Sequence, residues 1–169
     1  MVIGIGGCSN AGKSGLAKEI AKRFKEKNKK VTIVCQDDYT LDEDLIPNHY
    51  EHTDWEIPES INFDNYLTDV KEAISNNDIV ICEGLFPFYW DELNQLYDHQ
   101  IYLQLDKNEF LLRKEMDDRW GKEPRWYMRH IWDNHQIYGK IKLKTEEDIY
   151  IDANPGVVDV DTIMKQLKL

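Results

Sequence analysis

Apolar residues along the chain form two kinds of pattern, short continuous runs and longer segments with helical spacing. The runs predict buried strands at VIGIG (2–6), VTIVCQ (31–36), DIVICEG (78–84), QIYLQL (100–105) and within EDIYIDAN (147–154). The spaced segments predict helices at 14–27, 62–75, 125–140 and 158–167, with a short helix at 91–97. Asp106 and Glu109 have capping-box spacing, which predicts one more helix through about Arg119.

The alternation of these elements favours an α/β fold. We expect a parallel sheet of about five strands with helices on both faces, a three-layer sandwich. Residues 37–59 contain Pro47 and Pro58 and no regular apolar pattern, which predicts a long acidic loop. Because there is no repeat, low-complexity run or linker, residues 1–169 are expected to form a single domain.

The charge of the chain is concentrated in one place. The net charge is −11, and residues 31–70 contain eleven acids and no Lys or Arg. The remaining 21 of the 32 acids are balanced by 21 bases. We call residues 31–70 the acidic segment. A chain of this charge lacks the cationic face that nucleic-acid binding needs, so no nucleic-acid partner is expected.

Several signals are missing from the sequence, and each excludes a class of protein. No apolar stretch reaches the length of a membrane span, and the N-terminus has no secretion-signal pattern, so we expect a cytoplasmic protein without a membrane partner. Cys8, Cys35 and Cys82 are few and widely separated, which predicts buried thiols. His49 and His52 have no third histidine or cysteine nearby in sequence, so no zinc site is expected there.

The stretch GCSNAGKS lies between the first strand and the first helix. Its glycines allow a tight turn that points backbone N–H groups at phosphate oxygens, and the helix N-terminus adds positive charge. Lys13 would reach the β- and γ-phosphates of ATP, and Ser14 would ligate Mg²⁺. The segment expected to bind ATP consists of Gly7, Cys8, Ser9, Asn10, Ala11, Gly12, Lys13, Ser14 and Gly15.

Acidic residues follow two of the predicted strands. Asp37 and Asp38 come after VTIVCQ, and Glu83 ends the strand DIVIC. Ligands of open α/β sheets bind at the carboxyl ends of the strands, so these acids are candidates for the metal and for a catalytic base. The alternative for Asp37 and Asp38 is an Asx turn or a solvated loop.

A basic and interrupted segment follows the predicted helix that starts at Asp106. It contains Gly121 and Pro124, which break the helical pattern, and six bases: Arg113, Lys114, Arg119, Lys122, Arg125 and Arg129. We expect a lid at about residues 113–130 that closes over a triphosphate and places arginines near the transferring phosphoryl group. The alternative is an ordinary pair of surface helices.

These motifs together resemble one family of kinases. GGCSNAGKS, QDDY (36–39), DWEIPESINFD (54–64), ICEG (81–84) and the arginine-rich segment occur in the order seen in the uridine kinase and nicotinamide riboside kinase family. The resemblance covers most of the chain and implies a P-loop NTPase fold. Because the phosphate-binding loop alone is shared by many families, the more specific motifs are QDD, WEIPES and EG.

The resemblance implies roles for individual residues. Asp37 matches the catalytic base near the metal, and Glu83 matches a second acid near the metal and the acceptor hydroxyl. Glu56 falls where the family has an Asp that holds the ribose diol, and Trp55 falls where an aromatic ring stacks on the acceptor base. The remaining assignments are to the lid (Arg113 and Arg119), the adenine side (Asn154 and Pro155) and the acceptor (Asp38, Tyr39 and Arg125).

The sequence therefore predicts a small ATP- and Mg²⁺-dependent kinase. The resemblance implies transfer of the γ-phosphate to the 5′-hydroxyl of a nucleoside-like small molecule, with nicotinamide riboside or a pyrimidine nucleoside as acceptor. Two alternatives remain open at this point, a kinase of a vitamin precursor or sugar and a nucleotide-dependent switch without acceptor chemistry. The oligomeric state is not predicted.

Overall fold

A computed structural model describes residues 1–119, 121–142 and 144–167. Its strands are β1 (Val2–Gly7), β2 (Val31–Cys35), β3 (Asn48–His49), β4 (His52–Thr53), β5 (Ile79–Glu83), β6 (His99–Gln104) and β7 (Ile149–Asp152). Its helices are α1 (Lys13–Glu26), α2 (Phe63–Asn76), α3 (Asp91–Asn94), α4 (Lys107–Met116), α5 (Arg125–Tyr138) and α6 (Val160–Gln166).

The central sheet has five parallel strands in the order β2-β5-β1-β6-β7. The chain starts in the middle strand and adds neighbours on both sides, which is the arrangement of a doubly wound α/β fold. The fold class predicted from the sequence is therefore confirmed. In this arrangement the carboxyl ends of all five strands meet at one edge of the sheet.

Two apolar layers cover the sheet because successive strand residues point to opposite faces. Ile3, Ile5 and Ile81 pack on one face against a cluster that draws buried residues from α1, α4, α5 and α6. Val80 and Cys82 pack on the other face with side chains of α2 and α3. The outcome is the expected three-layer sandwich.

Several local predictions were wrong. Residues 37–59 are not one loop, because they contain 3₁₀ turns and the antiparallel hairpin β3–β4. The helix predicted through Arg119 ends at Met116, and the one predicted at 91–97 ends at Asn94. Asp106 is the N-cap of α4 but makes no side-chain cap bond, so the predicted capping box is not formed. Its backbone N–H donates to Asn154 Oδ1 at 2.9 Å, and the Glu109 carboxylate accepts from Arg113 Nε at 2.7 Å.

The predicted lid maps onto the end of α4, the connection 117–124 and the start of α5. The helical pattern breaks there, as Gly121 and Pro124 predict, but Trp120 lies outside the described residues. Among the residues that the model describes, no helix has the length and apolar character to cross a bilayer. The three cysteines are free thiols; Cys8 and Cys82 are buried, whereas Cys35 is only partly so.

Candidate active site

The phosphate loop, residues 7–15, connects β1 to α1 at the carboxyl edge of the sheet. Gly7 has a φ of 152°, and a Cβ on this residue would lie 2.8 Å from the carbonyl oxygen of Leu103 on the neighbouring strand. A side chain at Gly7 would therefore push β6 away from the loop. Lys13 Nζ donates to the carbonyl oxygen of Cys8 at 3.0 Å, so the ammonium group lies over the loop from which it extends.

The hydroxyl and the acid predicted to hold the metal are in direct contact. Ser14 Oγ donates to Glu83 Oε1 at 2.8 Å, although the two residues are 69 positions apart in the chain. Cys35 Sγ donates to the same oxygen at 3.2 Å, because Cys35 is the register partner of Glu83 in the sheet. These contacts hold the Glu83 side chain, which is 4% exposed, at the end of the phosphate loop.

Asp37 lies in the 3₁₀ turn Gln36–Tyr39 that follows β2, at the same end of the sheet. Loss of surrounding water raises the pKa of its carboxyl above the ordinary 3.8, while Lys13 lowers it and Glu83 and Asp38 raise it further. These charge effects place Asp37 within electrostatic range of both Lys13 and Glu83. The adjacent Tyr39 instead donates to Asp69 Oδ2 at 2.8 Å, on the α2 side.

The QDD segment is fixed to β5 by a side chain of its own. Gln36 is 1% exposed, and its Oε1 accepts from the backbone N–H of Phe86 at 2.8 Å. A Cβ on Gly84 would lie only 2.4 Å from Gln36 Cβ and 2.5 Å from its Oε1. The glycine of the EG motif thus provides the space that the glutamine of the QDD motif occupies.

The two lid arginines make different contacts. Arg113 donates to the carbonyl oxygens of Asn10, Ala153 and Asn154 at 3.2, 2.6 and 3.1 Å, and it pairs with Glu109. Its guanidinium therefore joins the phosphate loop to the turn after β7, where Asn154 and Pro155 were predicted to border adenine. This arrangement gives Arg113 a structural role between α4, the phosphate loop and that turn.

Arg119 lies at the phosphate loop as well, but its charge is already paired. Its Nε and Nη2 donate to Asp117 at 2.8 and 2.7 Å, and Nη2 also donates to Asn10 Oδ1 at 3.2 Å. These bonds hold the pKa of the Asp117 carboxyl well below its usual range. Arg125, in contrast, is mostly exposed and pairs with Glu115 at 3.6 Å.

The WEIPES segment follows the β3–β4 hairpin, and its Glu56 carboxyl lies within electrostatic range of Lys13. Burial raises the pKa of Glu56 from 4.5 to about 7, with Lys114 lowering it and Glu123 raising it. Lys114 is itself buried and pairs with Glu123 at 3.1 Å, so this base of the lid segment points inward. Trp55 is 36% exposed and presents an apolar surface beside Glu56.

Sequence reasoning missed Asp54 and His130, which lie beside the WEIPES segment. Asp54 is 6% exposed, and its Oδ1 lies 2.9 Å from His130 Nε2 and accepts from the Glu56 backbone N–H at 3.2 Å. The structure also brings a further histidine to His49, because the imidazoles of His49 and His130 stack with ring centroids 3.8 Å apart. Helical spacing placed residue 130 on α5, but nothing in the sequence pairs it with residues 49 and 54.

The fold and the loop, with its lysine, hydroxyl and acids at one sheet edge, define a protein of the P-loop kinase fold. Solved structures with this fold include a possible uridine kinase from Bacillus stearothermophilus (TM-score 0.57, 16% identity, 90% of this chain and 88% of that chain). Shikimate kinase from Bacteroides thetaiotaomicron has a TM-score of 0.59 at 16% identity, over 100% and 99% of the two chains. At these identities the likeness concerns the fold alone.

Sequence comparison shows which family of kinases this chain resembles. Residues 46–120 match the model of the Phosphoribulokinase / Uridine kinase family. Uridine kinase from Chlamydia pneumoniae is 29% identical in an alignment of 144 positions that covers 70% of this chain and 64% of that protein. The chain spans about two-thirds of the length of such curated relatives. The resemblance to the uridine kinase-like family that the motifs indicate is thereby confirmed.

Proposed function

We propose that this protein is an ATP-dependent kinase that phosphorylates the 5′-hydroxyl of a nucleoside-like acceptor. The observation that carries the proposal is the Ser14–Glu83 hydrogen bond beside Lys13 and Asp37. A nucleotide switch needs a phosphate loop and a metal ligand, but it has no use for an additional carboxylate that faces the reacting phosphate. The family resemblance and the kinase relatives agree with this class of reaction.

The residues at the sheet edge fit Mg²⁺. Ser14 and Glu83 offer a hydroxyl and a carboxylate oxygen, with the Asp37 carboxylate nearby, and hard oxygen ligands are those that Mg²⁺ prefers. When bound, Mg²⁺ would neutralise charge on the β- and γ-phosphates. ATP would lie along the phosphate loop, with its adenine toward Asn154 and Pro155.

The chain's own groups supply the rest of the mechanism. Asp37 accepts the proton of the acceptor hydroxyl as its oxygen forms the bond to the γ-phosphorus and the bond to the ADP oxygen breaks. The raised pKa of Asp37 makes its carboxylate a stronger base than an ordinary aspartate. Lys13 turns from the Cys8 carbonyl to the γ-phosphate, where loop N–H groups and lid arginines stabilise the developing charge.

Nicotinamide riboside is the acceptor that the charge of the acidic segment favours. That segment contains eleven acids and no Lys or Arg, so it repels an anionic acceptor and attracts the positive pyridinium ring. Trp55 would add a cation–π attraction of about 0.5–2 kcal/mol. Uridine is the second candidate, because several relatives with similar sequences are described as uridine kinases.

A competition assay separates these acceptors. Nicotinamide riboside, uridine, cytidine and a nucleoside monophosphate are offered at equal concentration with ATP and Mg²⁺, and each product is quantified. We expect nicotinamide riboside to be phosphorylated fastest and the monophosphate slowest. A clear preference for uridine would retain the kinase and change its substrate, whereas a preference for the monophosphate would contradict the charge argument.

Trp55→Leu tests the proposed contact between Trp55 and the pyridinium ring in the same assay. The loss of 0.5–2 kcal/mol corresponds to a drop of about 2- to 30-fold in the preference for nicotinamide riboside over uridine. Trp126→Leu is the matched control, since Trp126 is 38% exposed and Trp55 is 36% exposed. An equal effect of both substitutions would contradict the role of Trp55.

A further inference from the structure

Two histidines and one aspartate from separate parts of the chain meet on the acceptor side. His49 lies in β3, Asp54 follows β4, and His130 lies in the middle of α5. One ligand atom from each, a ring nitrogen or a carboxylate oxygen, lies within 4.8 Å of the other two. None of these residues has a place in the mechanism proposed for phosphoryl transfer.

Independent contacts hold the three side chains together. The hairpin pairs His49 with His52 across its turn, and the Asp54 backbone N–H donates to the Pro47 carbonyl at 2.9 Å. Tyr127 Oη donates to the Thr53 carbonyl at 3.3 Å, which attaches α5 to the end of the hairpin. The imidazoles of His49 and His130 are nearly parallel, with an angle of 12° between their planes.

The surroundings favour a cation at this position. The side chains of His130 and Asp54 are only 13% and 9% exposed, and Nε2 and Oδ1 face each other at 2.9 Å. A neutral imidazole with its proton on Nε2 donates to a carboxylate at this distance, and a metal ion in place of that proton would bind the same two atoms. The acidic segment that contributes His49 and Asp54 has no Lys or Arg that would repel such an ion.

The donor set identifies the class of metal. Two imidazole nitrogens and one carboxylate suit Zn²⁺ and its neighbours, whereas Mg²⁺ prefers oxygen ligands. In a tetrahedral zinc site with bonds near 2.0–2.1 Å, neighbouring donor atoms are about 3.4 Å apart. The 2.9 Å contact and the 4.8 Å limit bracket this value, but the two imidazoles would have to rotate out of their stack, because a metal ion lies in the plane of each ring that ligates it.

We propose that His49, Asp54 and His130 form a binding site for a divalent transition-metal ion of the zinc class. The ion would fasten the β3–β4 hairpin to α5, with water as its fourth ligand. It would be distinct from the Mg²⁺ expected at Ser14 and Glu83. The competing account is a hydrogen bond between Asp54 and His130 that needs no metal.

The test is a metal titration of the full-length, chelator-treated protein. Zn²⁺ is titrated by calorimetry with excess Mg²⁺ present, and Co²⁺ is titrated by visible absorption, which detects tetrahedral coordination. We expect one equivalent per chain and a Zn²⁺-dependent rise in Tm. His49→Ala and His130→Ala should each weaken binding by at least ~100-fold, the upper end of what loss of an outer-shell partner causes.

His52→Ala is the matched control, because His52 belongs to the same hairpin, is exposed and lies outside the three-residue group. It should bind Zn²⁺ within about twofold of the wild type. His49→Ala lies in a two-residue strand at the surface, so its result stands even if His130→Ala fails to fold. The proposal is overturned if the wild type takes up no stoichiometric metal, if His49→Ala binds as tightly as the wild type, or if His52→Ala loses as much affinity.

Discussion

The nucleotide side and the expected acceptor side of the candidate site are built by different means. On the nucleotide side, residues 7–15 and the turn at 153–154 are shaped by the backbone, with Gly7 against Leu103 and Arg113 bonded to three carbonyl oxygens. On the acceptor side, side chains meet one another, as in the Asp54–His130 contact and the Lys114–Glu123 pair. The glycine spacing of the phosphate loop is visible in the sequence, whereas the contact between Asp54 and His130, 76 residues apart, has no sequence signature.

Lys13→Ala tests the nucleotide side and is the substitution with the largest expected loss of turnover. We expect turnover to fall by at least ~10²–10³-fold, since a donor to the developing phosphate charge is removed from a preformed loop. Lys18→Ala, an exposed lysine of the same helix, should leave turnover unchanged. Initial rates with saturating ATP and circular dichroism of both variants provide the measurement. Turnover within about tenfold of the wild type, worth ~1.4 kcal/mol, would contradict the role of Lys13.

Asp37→Asn tests the proposed catalytic base, which would lie between the nucleotide and the acceptor. The substitution keeps the size of the side chain but removes proton acceptance and weakens the attraction for Mg²⁺, so we expect at least ~10²-fold slower turnover. Asp38→Asn is the matched control from the adjacent position, and it should have a smaller effect. Single-turnover rates compare the two. If Asp38→Asn proves the more damaging change, the base has been assigned to the wrong neighbour.

Glu56→Gln tests the expected acceptor side through the pH dependence of the protein's stability. Because the pKa of Glu56 in the folded protein, about 7, exceeds the ordinary 4.5, folding favours the protonated form. The stability that this residue contributes is complete below pH 4.5 and is lost as pH rises through 7. The glutamine variant should therefore be more stable than the wild type by about 1–3 kcal/mol at pH 8, and by much less at pH 5.

Urea unfolding at the two pH values measures this difference. Glu59→Gln is the control, since Glu59 is an exposed glutamate of the same segment. Its stability relative to the wild type should not change between pH 5 and pH 8. A Glu56→Gln variant with the same small effect at both values would show that Glu56 is ionised in the folded protein at neutral pH.

The sequence was sufficient for the sheet and for the phosphate loop. Their signals are local, a short apolar run for each buried strand and glycines at fixed offsets for the loop. The position of Glu83 beside the phosphate loop also followed from the rule that ligands bind at the carboxyl ends of the strands. Residues 37–59 could not be predicted, because short 3₁₀ turns and a hairpin of two-residue strands have no periodicity long enough to detect.

In the predicted lid, the directions of single side chains could not be predicted either. Its bases were visible in the sequence, but their directions were not. Lys114 turns inward to Glu123, Arg113 bonds to backbone carbonyls, and Arg125 remains exposed. Which way a long flexible cation points depends on the carboxylates that tertiary structure brings near it, and those partners come from distant parts of the chain.

The contact between Gln36 and Gly84 makes the QDD and EG motifs a single physical unit. A larger residue at position 84 has room only if the side chain at 36 shrinks, and a shorter side chain at 36 gives up the bond to the Phe86 N–H. Neither position can therefore vary alone without moving the carboxylates of Asp37 and Glu83, which follow and precede them in the chain. Gln36 and Gly84 thus set the spacing of the two acids that are proposed to act in catalysis. Replacing these motifs with those of a related kinase would require QDD and EG to be transferred together.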